Sequence, residues 1–200
     1  MEEKGKATGF QDQLLRRAAN GDTDAFGTLI MHYEKLVYNI AYRMFGNPED
    51  AKDMAQESFI KIYKNIDKCT DISYFRSWLC TVTTNTCIDE LRKRRGKMTE
   101  SMDKQLETEG GAIKRQLQSS VLTPEDCYMT KEMGQQLQTV ISQLPPEQRV
   151  LVILRDMQGY SYGELADIME APLGTVKSRL ARARQSLQEK ITALREQNRL

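Results

Sequence analysis

The sequence predicts an all-α fold of two small helical domains joined by a flexible linker, the C-terminal one a helix-turn-helix. Three observations carry that prediction. Apolar residues recur at three- and four-residue steps through most of the chain. Alternating runs of β-branched residues are missing. From Gly96 to Leu122 the pattern lapses into Gln, Ser, Thr, Gly and Lys, with Gly110-Gly111 near the middle, which is linker composition. The expected boundaries are therefore 10–95, 96–122 and 123–195. With 200 residues the chain can bury a core without disulfide or metal staples.

A first helix follows Gly21-Asp22, with Phe26, Leu29, Ile30, Tyr33, Val37, Ile40, Ala41 and Met44 as its buried stripe, and Gly46 ends it. Asn47 caps the next, Pro48 takes its first position, and Met54, Phe59, Ile62 and Tyr63 carry it to about Ile66. A polar loop follows, Asp67 to Ser73. A third helix, about Tyr74 to Arg95, has one apolar face of Phe75, Trp78, Leu79 and Val82 and a second of Cys80, Cys87 and Leu91. Such a helix is covered on two sides. Beyond the linker, Thr123-Pro124-Glu125-Asp126 opens a helix that turns Met129, Met133, Leu137, Val140, Ile141 and Leu144 inward and breaks at Pro145-Pro146. A short helix from Pro146 to about Met157 comes next.

The stretch from Ser161 to Arg184, SYGELADIMEAPLGTVKSRLARAR, carries the most chemistry. Ser161 and Glu164 have capping-box spacing. Pro172 and Gly174 break the chain before a second helix. There Val176, Leu180, Ala183, Leu187, Ile191 and Leu194 form a buried stripe, and the helical period turns Ser178, Ala181, Arg182 and Gln185 the opposite way. Lys177, Arg179 and Arg184 flank that outer face. A solvated charged face would have similar composition. The tight turn, the cap and the wholly basic outer surface instead suit a DNA major groove, which admits one helix.

The net charge is +1, so the chain as a whole is no basic coat for nucleic acid. Positive charge is local: Leu91 to Glu100 holds 5 basic residues and 1 acidic one. The 4 cysteines lack C-x-x-C spacing and His32 is the single histidine, so neither zinc nor any other metal or cofactor is expected. There is no signal-like run and no stretch long enough to span a bilayer, which makes a reducing, cytoplasmic setting the simplest expectation.

Three segments in this order, DMAQESFIKIY (Asp53 to Tyr63), FRSWLCTVTTNTCIDELRKRR (Phe75 to Arg95) and YSYGELADIMEAPLGTVKSRLARAR (Tyr160 to Arg184), make the chain resemble the extracytoplasmic-function (ECF) sigma factors of bacterial RNA polymerase over roughly Leu14 to Leu194. The resemblance implies a non-enzymatic promoter-specificity subunit. Asp53, Gln56 and Glu57 would dock on the β′ coiled coil of core RNA polymerase, with the β subunit as a further contact. Asn85 would read an extruded minus-ten base, helped by a pocket loop containing Lys68 and Cys69, while Arg92, Lys93, Arg94 and Arg95 lie along phosphates. Thr175, Lys177, Ser178, Arg179, Ala181, Arg182 and Arg184 would meet the minus-thirty-five duplex. Trp78 falls within the apolar stripe and is expected to pack in the core. Thr81 and Val82 stand where housekeeping sigma factors place paired tryptophans, so the resemblance implies weak intrinsic melting. An anti-sigma protein is a further implied partner.

Two other readings fit parts of the chain. A stand-alone regulator would use the same helix-turn-helix but leaves the first two segments unexplained. A metal-dependent nuclease built on Asp50, Asp53 and Glu57 would lack a histidine, a second acidic cluster and a glycine-rich loop nearby.

Overall fold

Helix starts and stops in this protein fall on residues whose side chains or backbone suit them. The structure, a computed structural model, describes residues 2–69, 71–102 and 134–197. In order the elements are α1 (Glu2–Ala19), α2 (Thr23–Met31), α3 (Glu34–Phe45), α4 (Pro48–Lys64), a 3-10 turn (Ile66–Lys68), α5 (Ile72–Met102), α6 (residues 134–142), α7 (Pro146–Val152), a π turn (Ile153–Met157), α8 (Tyr162–Ile168) and α9 (Leu173–Gln197). No strand occurs among the described residues.

Asp22 caps α2 by accepting from the Ala25 amide at 2.9 Å. Asn47 caps α4 in the same way, from the Asp50 amide at 2.8 Å, with Pro48 just inside. Gly46 closes α3 at φ +83°, a left-handed conformation that a Cβ would strain.

Three features of the helix layout depart from the sequence expectation, and Leu137, expected to turn inward, is exposed while its neighbour Gln138 is buried. Helix α1 was not foreseen; among its described side chains Leu14, Leu15 and Ala18 are buried, little more than one turn of signal. The helix expected from Asp22 to Gly46 is two helices. The His32 and Tyr33 amides donate to Leu29 and Ile30 carbonyls three residues back, at 3.3 and 2.8 Å, which tightens the last turn and redirects the chain. The Tyr33 ring then meets Phe75 edge-on, with centroids 5.2 Å apart. Neither glycine nor proline marks this break, and the apolar stripe stays in phase across it. Finally, α5 continues to Met102, so the first residues assigned to the linker are helical. The rest of that linker, Gly110-Gly111 and the Thr123 cap all lie outside the described residues.

The buried side chains of the two halves belong to one contiguous core. Leu29, Ile40, Met44, Ile62, Phe75 and Leu79 anchor the N-terminal part; Ile141, Leu151, Leu165, Val176 and Leu180 anchor the C-terminal part. Helix α5 lies between them, packed on α3 and α4 and also on α7 and α8. Its TVTTNT run is poor in helix formers. Buried Thr83 and Thr84 satisfy their hydroxyls on the Leu79 and Cys80 carbonyls at 2.8 Å, and Thr86 does so on Val82. Packing therefore holds this stretch helical where propensity would not.

Arg94 of α5 fastens the N-terminus of α4. Its guanidinium forks onto both Asp50 oxygens at 2.7 and 2.8 Å and reaches Glu90 at 2.9 Å. The bonds from Arg94, helped by the Asn47 amide, hold the Asp50 carboxyl below its usual value despite partial burial. Because the folded-state pKa lies below the unfolded one, this contribution is complete above about pH 4 and is lost as the pH falls through the depressed value. Urea unfolding is expected to show a smaller loss of stability between about pH 5 and 3 in Asp50→Asn than in the wild type. Equal pH slopes would mean the pair contributes nothing.

Candidate nucleic-acid and polymerase interfaces

Helices α8 and α9 form the expected helix-turn-helix. The Glu164 amide donates to Ser161 Oγ at 3.2 Å and the Ser161 amide to Glu164 Oε2 at 2.7 Å, a complete capping box. These bonds hold the Glu164 carboxyl below its ordinary value. The turn is closed by the Ala171 amide donating to the Ala166 carbonyl at 3.0 Å, with Glu170 at φ +46°. Val176, Leu180, Ala183 and Leu187 of α9 are buried. Ser178, Ala181, Arg182 and Gln185 are exposed on the opposite side, and so are Lys177, Arg179 and Arg184 at its flanks.

These side chains are not equally available. Ser178 donates to the Thr175 carbonyl at 3.0 Å, and Thr175 itself is half-buried. Lys177 Nζ sits 5.9 Å from the Tyr162 ring centroid. Arg184 is bound to Asp156 of the π turn, which raises its pKa. Arg182 has no hydrogen-bond or ion-pair partner among the described residues, which leaves its five donors open for a ligand.

On α5, Asn85 is exposed between buried Thr84 and Thr86, an amide set alone on an otherwise covered stretch. The basic run beyond it is partly engaged. Arg94 is tied to Asp50 and Glu90. Arg92 Nη2 lies 2.7 Å from Glu147 Oε1 of α7. Lys93 and Arg95 are exposed. In the preceding loop Lys68 is exposed and its Nζ donates to Asn65 Oδ1 at 2.7 Å. Cys69 differs from the expectation of a base contact. Its side chain is buried, its thiol points to the Asp71 carbonyl at 3.6 Å, and burial pushes the thiol pKa up. Tyr74, near the start of α5, is 69% exposed. Trp78 packs against the core, 6.0 Å from the Phe75 ring.

Asp53 and Gln56 of α4 are exposed and Glu57 is half-exposed, at three- and four-residue steps on one side. Glu57 pairs with Lys61 at 2.9 Å, so the patch is less acidic than its carboxylates suggest. Ile60, 54% exposed, continues the same side. Sequence reasoning passed over it, although its position one turn beyond Gln56, away from buried Ala51, Met54, Ala55, Ser58 and Ile62, was the available signal.

Sequence reasoning also missed the groups that join the halves. Arg149, 7% exposed, places its guanidinium on the Met44 carbonyl near the end of α3, on the Ser142 carbonyl at the end of α6 and on the Leu144 carbonyl just beyond it, the last at 3.0 Å. Desolvation, together with the Arg95 charge, lowers its pKa, and its Nε has no hydrogen-bond partner among the described residues. Tyr160 Oη meets Cys80 Sγ at 2.9 Å, under Arg76 at 5.0 Å from its ring. Burial pushes the Cys80 thiol up to about 11 and raises the Tyr160 phenol as well. Gln138 Nε2 donates to the Arg43 carbonyl at 3.1 Å. Contacts across 80 to 105 residues leave no trace in local periodicity. No cluster of metal-ligating side chains occurs among the described residues, and none of these helices is long and apolar enough to cross a membrane.

The same architecture occurs in known proteins. The family model for Sigma-70 region 2 matches residues 29–97, and that for Sigma-70, region 4 matches residues 134–187. The ECF RNA polymerase sigma factor SigW of Bacillus subtilis is 34% identical over 90% of this chain and 96% of its own length. The ECF RNA polymerase sigma-E factor of Escherichia coli K12 is 33% identical over 90% of this chain and 94% of its own. Among solved structures, the sigma factor RpoE of Bartonella quintana, in complex with the anti-sigma factor NepR, superposes with a TM-score of 0.64 at 26% identity, covering 84% of this chain and 96% of that one. The three motif segments, the helix order and these likenesses agree: the chain belongs to the ECF sigma factors of the sigma-70 family.

Proposed function

We propose that this protein is a dissociable, non-catalytic promoter-specificity subunit that works in the cytoplasm. It binds core RNA polymerase through the N-terminal domain, 10–95, and grips the minus-thirty-five duplex with the C-terminal domain, 123–195. The observation that carries this reading is the pairing, on one chain, of a helix-turn-helix whose free Arg182 faces outward with a second helix that exposes Asn85. A duplex reader needs a bidentate donor on a groove-sized helix, and an unstacked base needs a polar amide with room around it. The polymerase does the chemistry.

Residue roles follow from exposure and charge. Asp53, Gln56 and Glu57 form the polar part of the polymerase contact, and Ile60 supplies an apolar anchor that exposed carboxylates alone lack. Ser178, Ala181 and Arg182 face base edges, while Thr175, Lys177, Arg179 and Arg184 take phosphates at the sides. Asn85 reads the minus-ten strand, with Lys68, Lys93 and Arg95 along its backbone. Arg92 and Arg94 join them only by exchanging their carboxylate partners for phosphate. An anti-sigma factor would regulate the protein, as NepR partners RpoE in the solved complex.

Run-off transcription with purified core polymerase tests the reading. Start sites should move to a defined promoter class only when this protein is added; binding to an operator without core, and no redirected starts, would favour a stand-alone regulator. Arg182→Ala is expected to weaken binding to the matched duplex by about 1–3 kcal/mol if it holds a base edge. An equal loss on scrambled duplex would make it a phosphate contact. With Thr81 and Val82 in place of a tryptophan wedge, single-base changes in the minus-ten element should sharply reduce open complex, as permanganate footprinting would report. Unchanged footprints would rule out a strict dependence.

A further inference from the structure

Most aromatic rings among the described residues face another ring or a cation. Tyr33 meets Phe75, Phe26 meets Tyr63, and Phe45 and Tyr160 each lie under an arginine. Tyr74 is 69% exposed, and its side chain has no ring, cation or hydrogen-bonding partner among the described residues. A single exposed aromatic is ordinary on a protein surface. What marks Tyr74 is its register.

Tyr74 stands on the first turn of α5, eleven residues before Asn85. Eleven residues make three helical turns to within about 20°, so the ring and the amide project from one side of the helix, about 17 Å apart. Ser77, Trp78 and Thr81 lie between them on that side, all half-buried. Trp78 is turned against Phe75, and Thr81 donates its hydroxyl to the Ser77 carbonyl at 3.1 Å. Both are therefore engaged by the core or by the helix itself, and Tyr74 and Asn85 stand out at the two ends of the strip. The start of the helix is also held. The Asp71 carboxylate accepts from the Ser73 amide at 2.8 Å, and the Asp71 carbonyl accepts from the Tyr74 amide at 3.1 Å. The backbone that carries the ring is thus set before any ligand arrives.

We propose that Tyr74 is a base-stacking platform for the unpaired minus-ten strand, holding on its ring a base two or three nucleotides from the one that Asn85 reads. The proposal deepens the promoter-reading function above and rests on it. At the stacked spacing of about 3.4 Å per nucleotide, about five nucleotides would cover the gap. A strand whose bases are splayed onto a protein is stretched to about twice that spacing, and two or three suffice. Every base has a π-face, so the ring is blind to sequence where the amide is not. The two side chains divide the work: Tyr74 holds the strand and sets its register, and Asn85 identifies a base.

The test uses the full chain with core polymerase and a promoter found by start-site mapping, prepared with its minus-ten strand unpaired. An abasic residue is walked along that strand one nucleotide at a time. Wild-type holoenzyme should lose about ten-fold in affinity at one position, two or three nucleotides from the one where Asn85→Ala abolishes base preference. Any of the four bases at the ring's position should bind within about three-fold of the others. Tyr74→Ala should lose about ten-fold on the intact strand and nothing further at that position, while Tyr74→Phe keeps the wild-type profile. Because the side chain is exposed, neither change disturbs the core. The same abasic profile in the wild type and Tyr74→Ala overturns the proposal, and so does a profile that Tyr74→Phe alters as much as Tyr74→Ala. Asn85 separates this from the parent reading: base preference at its position in the wild type upholds promoter reading even where Tyr74 fails, and its absence there sinks that reading itself.

Discussion

Burial of α5 on two faces is the constraint from which the rest of the architecture follows. A helix covered on both sides cannot lean on intrinsic propensity, and its run of threonines shows that it does not. The hydroxyls of Thr83, Thr84 and Thr86 are folded back onto the helix's own carbonyls, which lets polar side chains line a core. On one side Phe75 and Leu79 complete the N-terminal bundle with α3 and α4. On the other, Cys80 receives Tyr160 from the C-terminal half. What remains for solvent is a narrow strip, and Asn85 stands on it.

Charge is distributed with similar economy of surface. The basic residues that a nucleic-acid reading singles out are in several cases already held: Arg94 by Asp50 and Glu90, Arg92 by Glu147, Arg184 by Asp156. The more exposed of these pairs, Arg92–Glu147 and Arg184–Asp156, are weak. They orient the side chains without committing them, and a phosphate diester can replace a carboxylate at little expense. Arg182 has no such partner among the described residues, and it alone of the outer face of α9 combines full charge with bidentate geometry.

Much of this was legible in the sequence, because much of it is local. The Ser161–Glu164 box, the Asn47-Pro48 start and the inward stripe of α9 are set by side chains three or four residues apart, and all appear where the pattern put them. The break at His32-Tyr33 escaped because two helices can share one apolar phase. Helix α1 escaped because Leu14, Leu15 and Ala18 are a short apolar signal in a mostly polar segment. In the site, exposure of Asn85, Ser178 and Arg182 follows from helical period alone. The burial of Cys69 and the engagement of Arg92 do not, since each depends on tertiary neighbours. Arg149 could not be foreseen at all: an arginine one turn into a short helix looks like surface until the ends of two other helices converge on it.

The ligand set of Arg149 has one more consequence. Every atom it binds is a neutral amide oxygen. Neither the guanidinium nor an amide carbonyl changes protonation at any pH a cell tolerates, and mobile ions screen a buried contact of this kind far less than a surface one. Swings in acidity or osmolarity that would loosen the exposed carboxylate pairs, or strip the protein from DNA, leave this joint indifferent. The grip of Arg149 on the ends of two helices therefore holds across conditions under which the exposed carboxylate pairs loosen.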